Sequence, residues 1–178
     1  MADAKASPPV MPIPTGDDLS AEEKVKALIF ANADEEMYTD GELGWGASLL
    51  LSHLTLLSAT SSPPRTVFRF TVAASHCNRL NNLHGGCTST LFDWLTTSAL
   101  ACIAKPGYWQ YAGVSRTLNV TYLRPVPEGE VVLVESEVVH AGKRLCALKG
   151  TMRRERDGEV LAICEHGKVS IDPEVAKM

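Results

Sequence analysis

The sequence has few of the features that mark secreted, zinc-binding or repeat proteins. Its five cysteines are odd in number and include no CxxC pair, so neither a disulfide framework nor a zinc site is expected. They are typical of reduced, mostly buried residues in an intracellular protein. No internal repeat or low-complexity domain occurs, and no metal or redox cofactor is expected. The cysteines are Cys77, Cys87, Cys102, Cys146 and Cys164.

Long apolar runs and an excess of basic charge are also missing. No apolar run reaches the ~20 residues that a membrane-spanning helix needs. The first residues include Asp3 and lack the charged-then-apolar pattern of a signal peptide, so we expect no secretory or transit segment. The formal net charge of -4 argues against bulk nucleic-acid binding. We therefore expect a cytoplasmic protein that neither binds nucleic acid nor spans a membrane.

The end of the chain offers an alternative location. Ala176-Lys177-Met178 matches a loose form of the peroxisomal C-terminal tripeptide, in which a small residue precedes a basic one and then Leu or Met. Tripeptides match such patterns by chance. A peroxisomal location is therefore kept beside the cytoplasmic one.

The composition fits one globular domain preceded by a tail. The chain has 178 residues, 45% of them hydrophobic, which is enough for one core. Residues 1–20 are rich in Ala, Pro, Asp and Ser and predict a flexible tail. Ser20 and Glu23 have the spacing of a capping box, and the helix that they start is predicted to run to about Ala33. A Gly- and acid-rich connection is expected over 34–46.

Residues 21–178 form one predicted domain, in which strands surround a long helix. Alternation over Thr66–Val72 is typical of a half-buried strand, with Phe68 and Phe70 on one side. The segment Cys87–Ala104 predicts one helix. Hairpin-length links between the last four strands imply an antiparallel sheet with the helix on one face, which is an α+β fold. The other strands are predicted over Leu49–Leu57, Tyr111–Arg124, Glu130–His140, Lys143–Arg154 and Val160–Ile171.

The stretch from Asn78 to Asp93, NRLNNLHGGCTSTLFD, combines residue types that are typical of an active site: a carboxamide, a His-Gly-Gly turn, a helix start and a carboxylate. A helix start offers unpaired backbone N–H groups and a partial positive charge, and Gly85 and Gly86 let a ligand approach that backbone closely. An acyl carbonyl bound there would be polarised, and losing such an oxyanion donor typically costs ~3 kcal/mol. Asp93 follows on the same helix, where a carboxylate can act as a general base or as a nucleophile.

The separation of Gly85 and Asp93 predicts a site shared by two chains. About eight helical residues place them roughly 12 Å apart, at ~1.5 Å per residue. That is too far for both groups to act on one carbonyl. Antiparallel helices in a symmetric dimer would bring Asp93 of one chain near Gly85 of the other. The spacing therefore predicts a homodimer with active sites at its interface.

Several segments together resemble one enzyme family. They are Asn78-Arg79-Leu80, Leu83-His84-Gly85-Gly86, Asp93, Gly113-Val114-Ser115, Leu118–Pro125 and Gly142-Lys143. The chain is similar to small hotdog-fold acyl-CoA thioesterases of the 4-hydroxybenzoyl-CoA thioesterase superfamily, in particular the phenylacetyl-CoA-thioesterase-like (PaaI-like) branch. The resemblance covers about residues 45–171. It implies a hotdog fold, in which six antiparallel strands wrap around a long central helix, and a homodimer that pairs again into a homotetramer.

The resemblance also implies a role for each residue of the site. Gly85 supplies the oxyanion N–H, and Asp93 of the partner chain is the base or nucleophile. Asn78 helps to place the carbonyl or the water, and Ser115 helps to orient the water beside Asp93. His84 is a positioning residue more than a proton-transfer group. The basic residues along the CoA arm suit phosphate groups. The residues implied along that arm are Tyr122, Leu123, Arg124, Pro125, Gly142, Lys143 and Arg144.

The expected activity is hydrolysis of acyl-CoA thioesters to free acid and CoA, with CoA as part of the substrate and no separate cofactor. Three alternatives stay open. The same chemistry would release an acyl or polyketide chain from an acyl carrier protein. A hotdog hydratase would pair a histidine with a carboxylate, which the His84–Asp93 spacing fits poorly. A non-catalytic acyl-CoA-binding protein would have no need of Asp93.

Simpler interpretations exist for single residues. Asn78 can cap a turn, Ser115 can be an ordinary strand residue, and the Lys143-Arg144 pair can be solvated charge. A cysteine nucleophile is disfavoured, because no paired base is visible by spacing. The aromatic insert 108–111 could shape an acyl pocket, so no acyl preference is transferred.

Overall fold

The computed structural model describes residues 12–16, 18–30 and 46–173. The helices are α1 (Ala21–Phe30), α2 (Ala47–Leu50) and α3 (Gly85–Ala101), with short 3₁₀ turns at Leu51–His53 and Ala74–His76. The strands are β1 (Leu54–Ser61), β2 (Pro64–Thr71), β3 (Val114–Tyr122), β4 (Val131–Ala141), β5 (Leu145–Arg154) and β6 (Val160–Val169).

One six-stranded antiparallel sheet packs against α3 in the described part of the chain. The strand order is β1-β2-β4-β5-β6-β3, and every neighbouring pair is antiparallel. Helix α3 contacts strands β2 to β6, and Phe68, Phe70, Leu91 and Leu95 are fully buried in the core. The alternation predicted for β2 is confirmed, because Phe68 and Phe70 are buried while Arg69 is exposed. The predicted α+β hotdog fold, with α1 ahead of it, is confirmed as well.

Strand β3 lies at an edge of the sheet, where a hairpin with β4 was expected. It pairs with β6, in a register that joins Val114 to Val169 and Tyr122 to Ala162. The predicted β3–β4 hairpin is therefore wrong, whereas the β4–β5 and β5–β6 pairings are as expected. The connection between the two strands bonds elsewhere: Val126 O accepts the Leu83 N–H at 2.7 Å, and the Gly129 N–H donates to Val72 O at 2.8 Å, which leads the chain to β2. The outer edge of β3 has no strand partner among the described residues.

Helix α1 begins with the predicted capping box. Ser20 Oγ accepts the Glu23 N–H at 3.2 Å, and Glu23 Oε2 accepts the Ser20 N–H at 2.8 Å. These bonds satisfy donors that a helix start otherwise leaves unpaired. The helix packs on α3 and β1. Its predicted end near Ala33 and the connection predicted over 34–46 lie outside the described residues, except for Gly46.

The apolar run Leu49–Leu57 is only partly a strand, so its prediction is wrong over the first half. Ala47–Leu50 forms a helical turn in which the Leu50 N–H donates to Gly46 O at 2.9 Å, and β1 starts only at Leu54. Leu50 is fully buried, so the turn buries its side chain as well as a strand would. An apolar run by itself does not separate helix from strand.

Helix α3 starts earlier than predicted and also ends earlier. Its observed bounds are Gly85–Ala101, where Cys87–Ala104 was expected. At the C-terminal end, the N–H groups of Ile103 and Ala104 bond three residues back and not four, so the chain tightens into a turn. The earlier start matters more, because it makes Gly85 the first helical residue.

Gly150 on β5 sets how closely α3 approaches the sheet. A Cβ at this position would lie 2.6 Å from Phe92 Cδ1 and 2.9 Å from Thr96 Cγ2. Both distances are shorter than van der Waals contact, so a larger residue would force the helix or its side chains to shift. Phe92 and Thr96 therefore pack directly on the β5 backbone.

The segment before α1 packs on the domain at Ile13. Ile13 is buried, and its N–H donates to Gln110 O at 2.7 Å. This residue departs from the flexible tail predicted over 1–20, of which 1–11 and Asp17 lie outside the described residues. The C-terminal tripeptide also lies outside them. Within the described ranges, no helix is both long and apolar enough to cross a bilayer.

Candidate active site

The first residue of α3 presents a free backbone donor. His84 is the N-cap, and its Nδ1 accepts the Gly86 N–H at 2.9 Å. The Gly85 N–H has no acceptor among the described residues. The Tyr122 ring lies beside Gly85, at 3.4 Å from where a Cβ would stand. The His84 ring therefore caps the helix, and it leaves Gly85 as a donor at the positive end of the helix dipole.

Asn78 holds a turn with one end of its amide and leaves the other end free. Its Oδ1 accepts the Leu80 N–H at 2.8 Å and the Asn82 N–H at 3.4 Å. These two donors identify the amide oxygen, so Nδ2 must point the other way. Nδ2 has no partner in the part of the chain that the structure describes. The turn-capping and carbonyl-placing interpretations of Asn78 are thus compatible.

A cavity of about 450 Å³ gathers these donors with one of the two segments implied to bind CoA. Asn78, Gly85 and residues 122–125 all line it. The Tyr122 hydroxyl donates to Gly85 O at 2.9 Å, which ties β3 to the start of α3. Arg124 is held at the cavity by Glu159, at 2.5 Å from its Nε. The cavity therefore combines two free N–H donors with a fixed, half-exposed guanidinium.

Asp93 lies farther along α3, beside Ser115 of β3. The Ser115 hydroxyl donates to Asp93 Oδ1 at 2.5 Å. The Asp93 side chain stays 40% exposed, so water or a substrate can reach it. Ser115 faces α3 because it pairs with Lys168 across the sheet, next to a bulge in β3. The sheet thus carries a hydroxyl to the carboxylate from 22 residues away.

Two basic residues of β6 complete this cluster, and the sequence analysis did not identify them. His166 Nε2 lies 3.0 Å from Ser115 Oγ and 3.4 Å from Asp93 Oδ1. Lys168 Nζ lies 2.9 Å from Thr97 Oγ1 and 3.4 Å from Ser115 Oγ. Both side chains are almost fully buried. Their sequence signal is the two-residue alternation of β6, which puts two basic residues on its buried face.

The hydrogen bonds of His166 follow from the single proton of Thr96. The Thr96 hydroxyl donates to Phe92 O at 2.6 Å, so Thr96 Oγ1 accepts from His166 Nδ1–H, 2.6 Å away. Burial, and secondly the Lys168 ammonium, lower the pKa of His166 to about 4 against the opposing effect of Asp93. The ring is therefore neutral near pH 7, and its Nε2 carries no proton. Ser115 has one proton, which goes to Asp93 Oδ1 at 2.5 Å and not to His166 Nε2 at 3.0 Å.

A second cavity, of about 180 Å³, opens beside the carboxylate. Asp93 and Lys168 form its polar side. Leu28 and Ile29 of α1 and the Trp94 indole form its apolar side. Helix α1 therefore provides one wall of the space next to Asp93.

The Gly142–Arg144 turn lies away from both cavities within one chain. It joins β4 to β5, and its Gly142 O accepts the Trp109 indole N–H at 2.8 Å. It lies near Val169, at the end of β6 opposite to Ala162, which pairs with Tyr122. The structure thus separates the two groups implied to bind CoA. The aromatic insert supports this turn, with Trp109 fully buried, and does not line the cavity beside Asp93.

The cysteines are poor nucleophiles. All five are free thiols, four of them buried and Cys77 half-buried. Burial raises the pKa of Cys87 and Cys102 to about 11 and that of Cys164 to about 12. Thiols with such pKa values carry almost no thiolate near neutral pH. Chemistry at this site therefore centres on the carboxylate.

A third cavity has, among the described residues, no free charged group that could bind or attack a thioester. It measures about 410 Å³ and lies against β2, β4 and β5. Its charges already pair with each other, as in Arg65–Glu137 at 2.9 Å and Arg153–Glu135 at 3.2 Å. Across the described ranges, no group of three or more His, Cys, Asp or Glu side chains is arranged to hold a metal ion.

A free N–H at the start of α3 and a carboxylate farther along the same helix fit the chemistry that the resemblance implies. The family model described as Thioesterase superfamily matches residues 80–161. Mouse acyl-coenzyme A thioesterase 13 is 32% identical over 123 residues, covering 69% of this chain and 84% of the mouse protein. The chain belongs to the thioesterase superfamily.

Solved structures agree with this membership. The crystal structure of zebrafish thioesterase superfamily member 2 matches with a TM-score of 0.70 at 30% identity, covering 85% of this chain and 99% of that one. The Escherichia coli PaaI protein, from the phenylacetic acid degradation operon, shares the fold with a TM-score of 0.60 at 20% identity, covering 79% of this chain and 96% of that one. The resemblance to PaaI-like hotdog thioesterases is thereby confirmed.

Proposed function

We propose that the protein hydrolyses acyl-CoA thioesters to a free acid and CoA. The observation that carries this proposal is the Asp93 carboxylate, exposed to solvent yet fixed by Ser115 at 2.5 Å, on the helix whose first N–H is free. A binding protein has no use for a fixed carboxylate at this position. The name of the mouse relative, an acyl-coenzyme A thioesterase, supports the choice of substrate.

The active site is formed by two chains. Gly85 and Asp93 are eight residues apart on α3, which is roughly 12 Å at ~1.5 Å per residue. They also line different cavities. A twofold dimer places Gly85 of one chain by Asp93 of its partner, and the unpaired edge of β3 is available for pairing with its own copy. Val114 and Tyr122, at the two ends of β3, are half exposed and would be covered.

The reaction begins with the thioester carbonyl oxygen accepting the Gly85 N–H and the Asn78 Nδ2–H. Asp93 of the partner chain then removes a proton from water as the water attacks the carbonyl carbon, or it attacks that carbon itself. The oxyanion of the tetrahedral intermediate stays at Gly85, where the helix dipole also favours negative charge. Collapse breaks the C–S bond, and the CoA sulfur leaves as the thiolate or takes up the proton that Asp93 removed from water. Where Asp93 itself attacked the carbon, water then hydrolyses the mixed anhydride, which releases the free acid and restores the carboxylate. Ser115 keeps Asp93 oriented throughout.

The substrate's two ends occupy different parts of the dimer. The CoA arm follows residues 122–125 in the larger cavity, beside Arg124. Antiparallel pairing of β3 with its copy brings the partner's Lys143 and Arg144 to this end, where their charges suit the CoA phosphates. The acyl group enters the 180 Å³ cavity beside Asp93, against Leu28 and Trp94.

Steady-state hydrolysis of a panel of acyl-CoAs tests the proposal. We expect thiol release, and Asp93→Asn should lower kcat by about 10³-fold or more without unfolding the protein. Glu165→Gln, an exposed carboxylate on β6, is the matched control and should keep wild-type activity. If the protein hydrolyses no acyl-CoA and turns over only carrier-protein thioesters, the substrate is an acyl carrier protein and not CoA. An active Asp93→Asn enzyme would remove Asp93 from the mechanism.

A further inference from the structure

We infer that Lys168 is a positioning residue, whose ammonium group forces the Ser115 hydroxyl to point at Asp93. The inference rests on the proposed role of Asp93. It concerns a side chain that touches neither of the two carbonyl donors and lies 75 residues after the carboxylate in the sequence. Its hydrogen bonds reach Asp93 through Ser115 and Thr97, while its charge also acts on Asp93 across the adjoining cavity.

The Lys168 ammonium has two defined acceptors. Its Nζ lies 2.9 Å from Thr97 Oγ1 and 3.4 Å from Ser115 Oγ. The Thr97 hydroxyl donates its own proton to Asp93 O at 2.6 Å, so its oxygen is free to accept from Lys168. The residue is only 4% exposed. Lys168 is therefore fixed between α3 and β3 and does not extend into solvent.

The direction of these bonds decides the orientation of Ser115. An ammonium group can only donate, so Lys168 Nζ donates to Ser115 Oγ and cannot take up the Ser115 proton. Of the acceptors that remain, Asp93 Oδ1 lies 2.5 Å from Ser115 Oγ and the unprotonated His166 Nε2 lies 3.0 Å from it, so the proton goes to Asp93. An uncharged amine at 168 would offer a lone pair, to which Ser115 could donate instead. The positive charge thus matters for the direction of the bond as well as for its strength.

The titratable groups around Lys168 come from three elements. Asp93 faces it from α3, His166 from its own strand and Cys146 from β5. The α1 residues that line the adjoining cavity, Leu28 and Ile29, carry no charge. Burial lowers the pKa of Lys168, while Asp93 and Cys146 act in the opposite direction. A buried cation is costly, and replacing one by an apolar residue of similar length is often neutral or stabilising.

This cost separates a structural role from a positioning role. If Lys168 served packing alone, Lys168→Met would leave kcat unchanged. If Lys168 is a positioning residue, the Lys168→Met enzyme should fold and have a melting temperature equal to or above that of wild type. Its kcat should fall about 10- to 100-fold, because a misplaced catalytic group costs that much. KM should change less than kcat, because the side chain borders the acyl cavity but does not contact the carbonyl donors.

A double-mutant cycle with Ser115→Ala is the decisive test. If Lys168 acts through Ser115, the double variant Ser115→Ala/Lys168→Met should be no slower than Ser115→Ala alone. Additive losses would overturn the inference, and so would a Lys168→Met enzyme with wild-type kcat. Lys149→Met, which changes an exposed lysine of β5, is the control and should behave as wild type. The pH–rate profile of wild type should lose activity at alkaline pH, and Lys168→Met should lack that limb.

The experiments distinguish failure of the proposed function from failure of the role of Lys168. A wild-type enzyme that hydrolyses no acyl-CoA rejects the proposed function, whereas an active wild type with an unimpaired Lys168→Met variant rejects only the role of Lys168. If Lys168→Met fails to fold, Thr97→Val removes the nearer acceptor of the ammonium and keeps the side-chain shape. Thr97→Val should then lower kcat and lose that effect in the Ser115→Ala background. An unchanged kcat in Thr97→Val would overturn the inference.

Discussion

Ser115 donates its hydroxyl proton to Asp93 across 2.5 Å, and this bond joins an edge strand to the middle of the central helix. The carboxylate is therefore oriented by the sheet and not by its own helix. A side chain on a helix surface normally has rotamer freedom, which such a bond removes. Because Lys168 in turn donates to Ser115 and His166 Nε2 lies 3.0 Å from it, the orientation of Asp93 depends on residues of two strands, β3 and β6.

The buried imidazole predicts a specific loss of stability in acid. The pKa of His166 is lowered to about 4 by burial, whereas an unfolded histidine titrates near 6.5. Below pH 6.5 the unfolded state therefore binds the proton that the folded state refuses, so the free energy of unfolding falls as pH drops from 6.5 to 4. The full effect is about 3 kcal/mol, at ~1.4 kcal/mol per pH unit.

Urea unfolding of wild type and His166→Gln between pH 4 and 7.5 measures this contribution. The variant should lose less stability than wild type over that range, and the two curves should run in parallel above pH 6.5. His140→Gln, an exposed histidine on β4, should keep the wild-type slope. Identical slopes for all three proteins would contradict the buried, neutral state of His166.

A site shared by two chains predicts complementation between inactive variants. Asn78→Asp keeps the turn-capping oxygen but loses the free N–H donor, and Asp93→Asn loses the carboxylate. A dimer of one chain of each kind has one intact site and one doubly altered site. Random exchange should therefore restore about a quarter of wild-type activity, since half of the dimers are mixed and each has one working site of two.

Activity after subunit exchange, followed with differently tagged chains, checks that expectation. Each variant alone should stay inactive under the same treatment. Mixed dimers that form but do not hydrolyse substrate would mean that Asn78 and Asp93 of the same chain act together. That result would count against the shared site and leave the chemistry of each residue untouched.

The wall that α1 contributes predicts a change in acyl specificity. Leu28→Ala should widen the cavity beside Asp93 and raise kcat/KM for longer acyl-CoAs relative to shorter ones by about 10-fold, since one methylene in an apolar pocket is worth ~1–3 kcal/mol. Leu28→Trp should shift the ratio the other way. Lys26→Ala, on the exposed side of α1, serves as the control. Specificity that stays constant in both Leu28 variants would place the acyl group elsewhere.

Basic residues at the β4–β5 turn predict a preference for the nucleotide end of the substrate. Lys143→Ala should raise KM for acyl-CoA about 3- to 10-fold, because a partly exposed phosphate contact contributes ~1 kcal/mol. Hydrolysis of the matching N-acetylcysteamine thioester, which has no phosphates, should be unaffected. The exposed Lys149 gives a control variant, Lys149→Ala. Equal effects on both substrates would argue against phosphate binding by this turn.

Local patterns in the sequence identify the elements whose structure depends on neighbouring residues. The Ser20–Glu23 capping box, the alternation of β2 and the helix after Gly85 all follow from spacings of two to four residues. The helical turn at Ala47–Leu50 was missed because its apolar residues would be equally well buried in a strand. Short-range signals thus predict most element types and leave apolar runs ambiguous.

The site residues that could not be predicted from the sequence are those brought in by the pairing of distant strands. Asp93, Gly85 and Asn78 lie within one short stretch, so a motif can point to them. His166 and Lys168 reach that stretch only because β6 pairs with β3, which lies at the edge away from β4. Nothing in the intervening sequence specifies that crossover, and the two residues carry no motif of their own. A polar pair on a strand's buried face is the general signal that would have pointed to them.

The distance between helix α3 and the sheet depends on a glycine in β5. Gly150 has no Cβ, and this allows Phe92 and Thr96 to rest on the β5 backbone. Thr96 is also the residue that bonds the His166 ring. The space at Gly150 therefore sets how closely α3 can pack on β5. A single methyl group there would lift α3 and loosen the carboxylate's supports, although the catalytic side chains themselves would be unchanged.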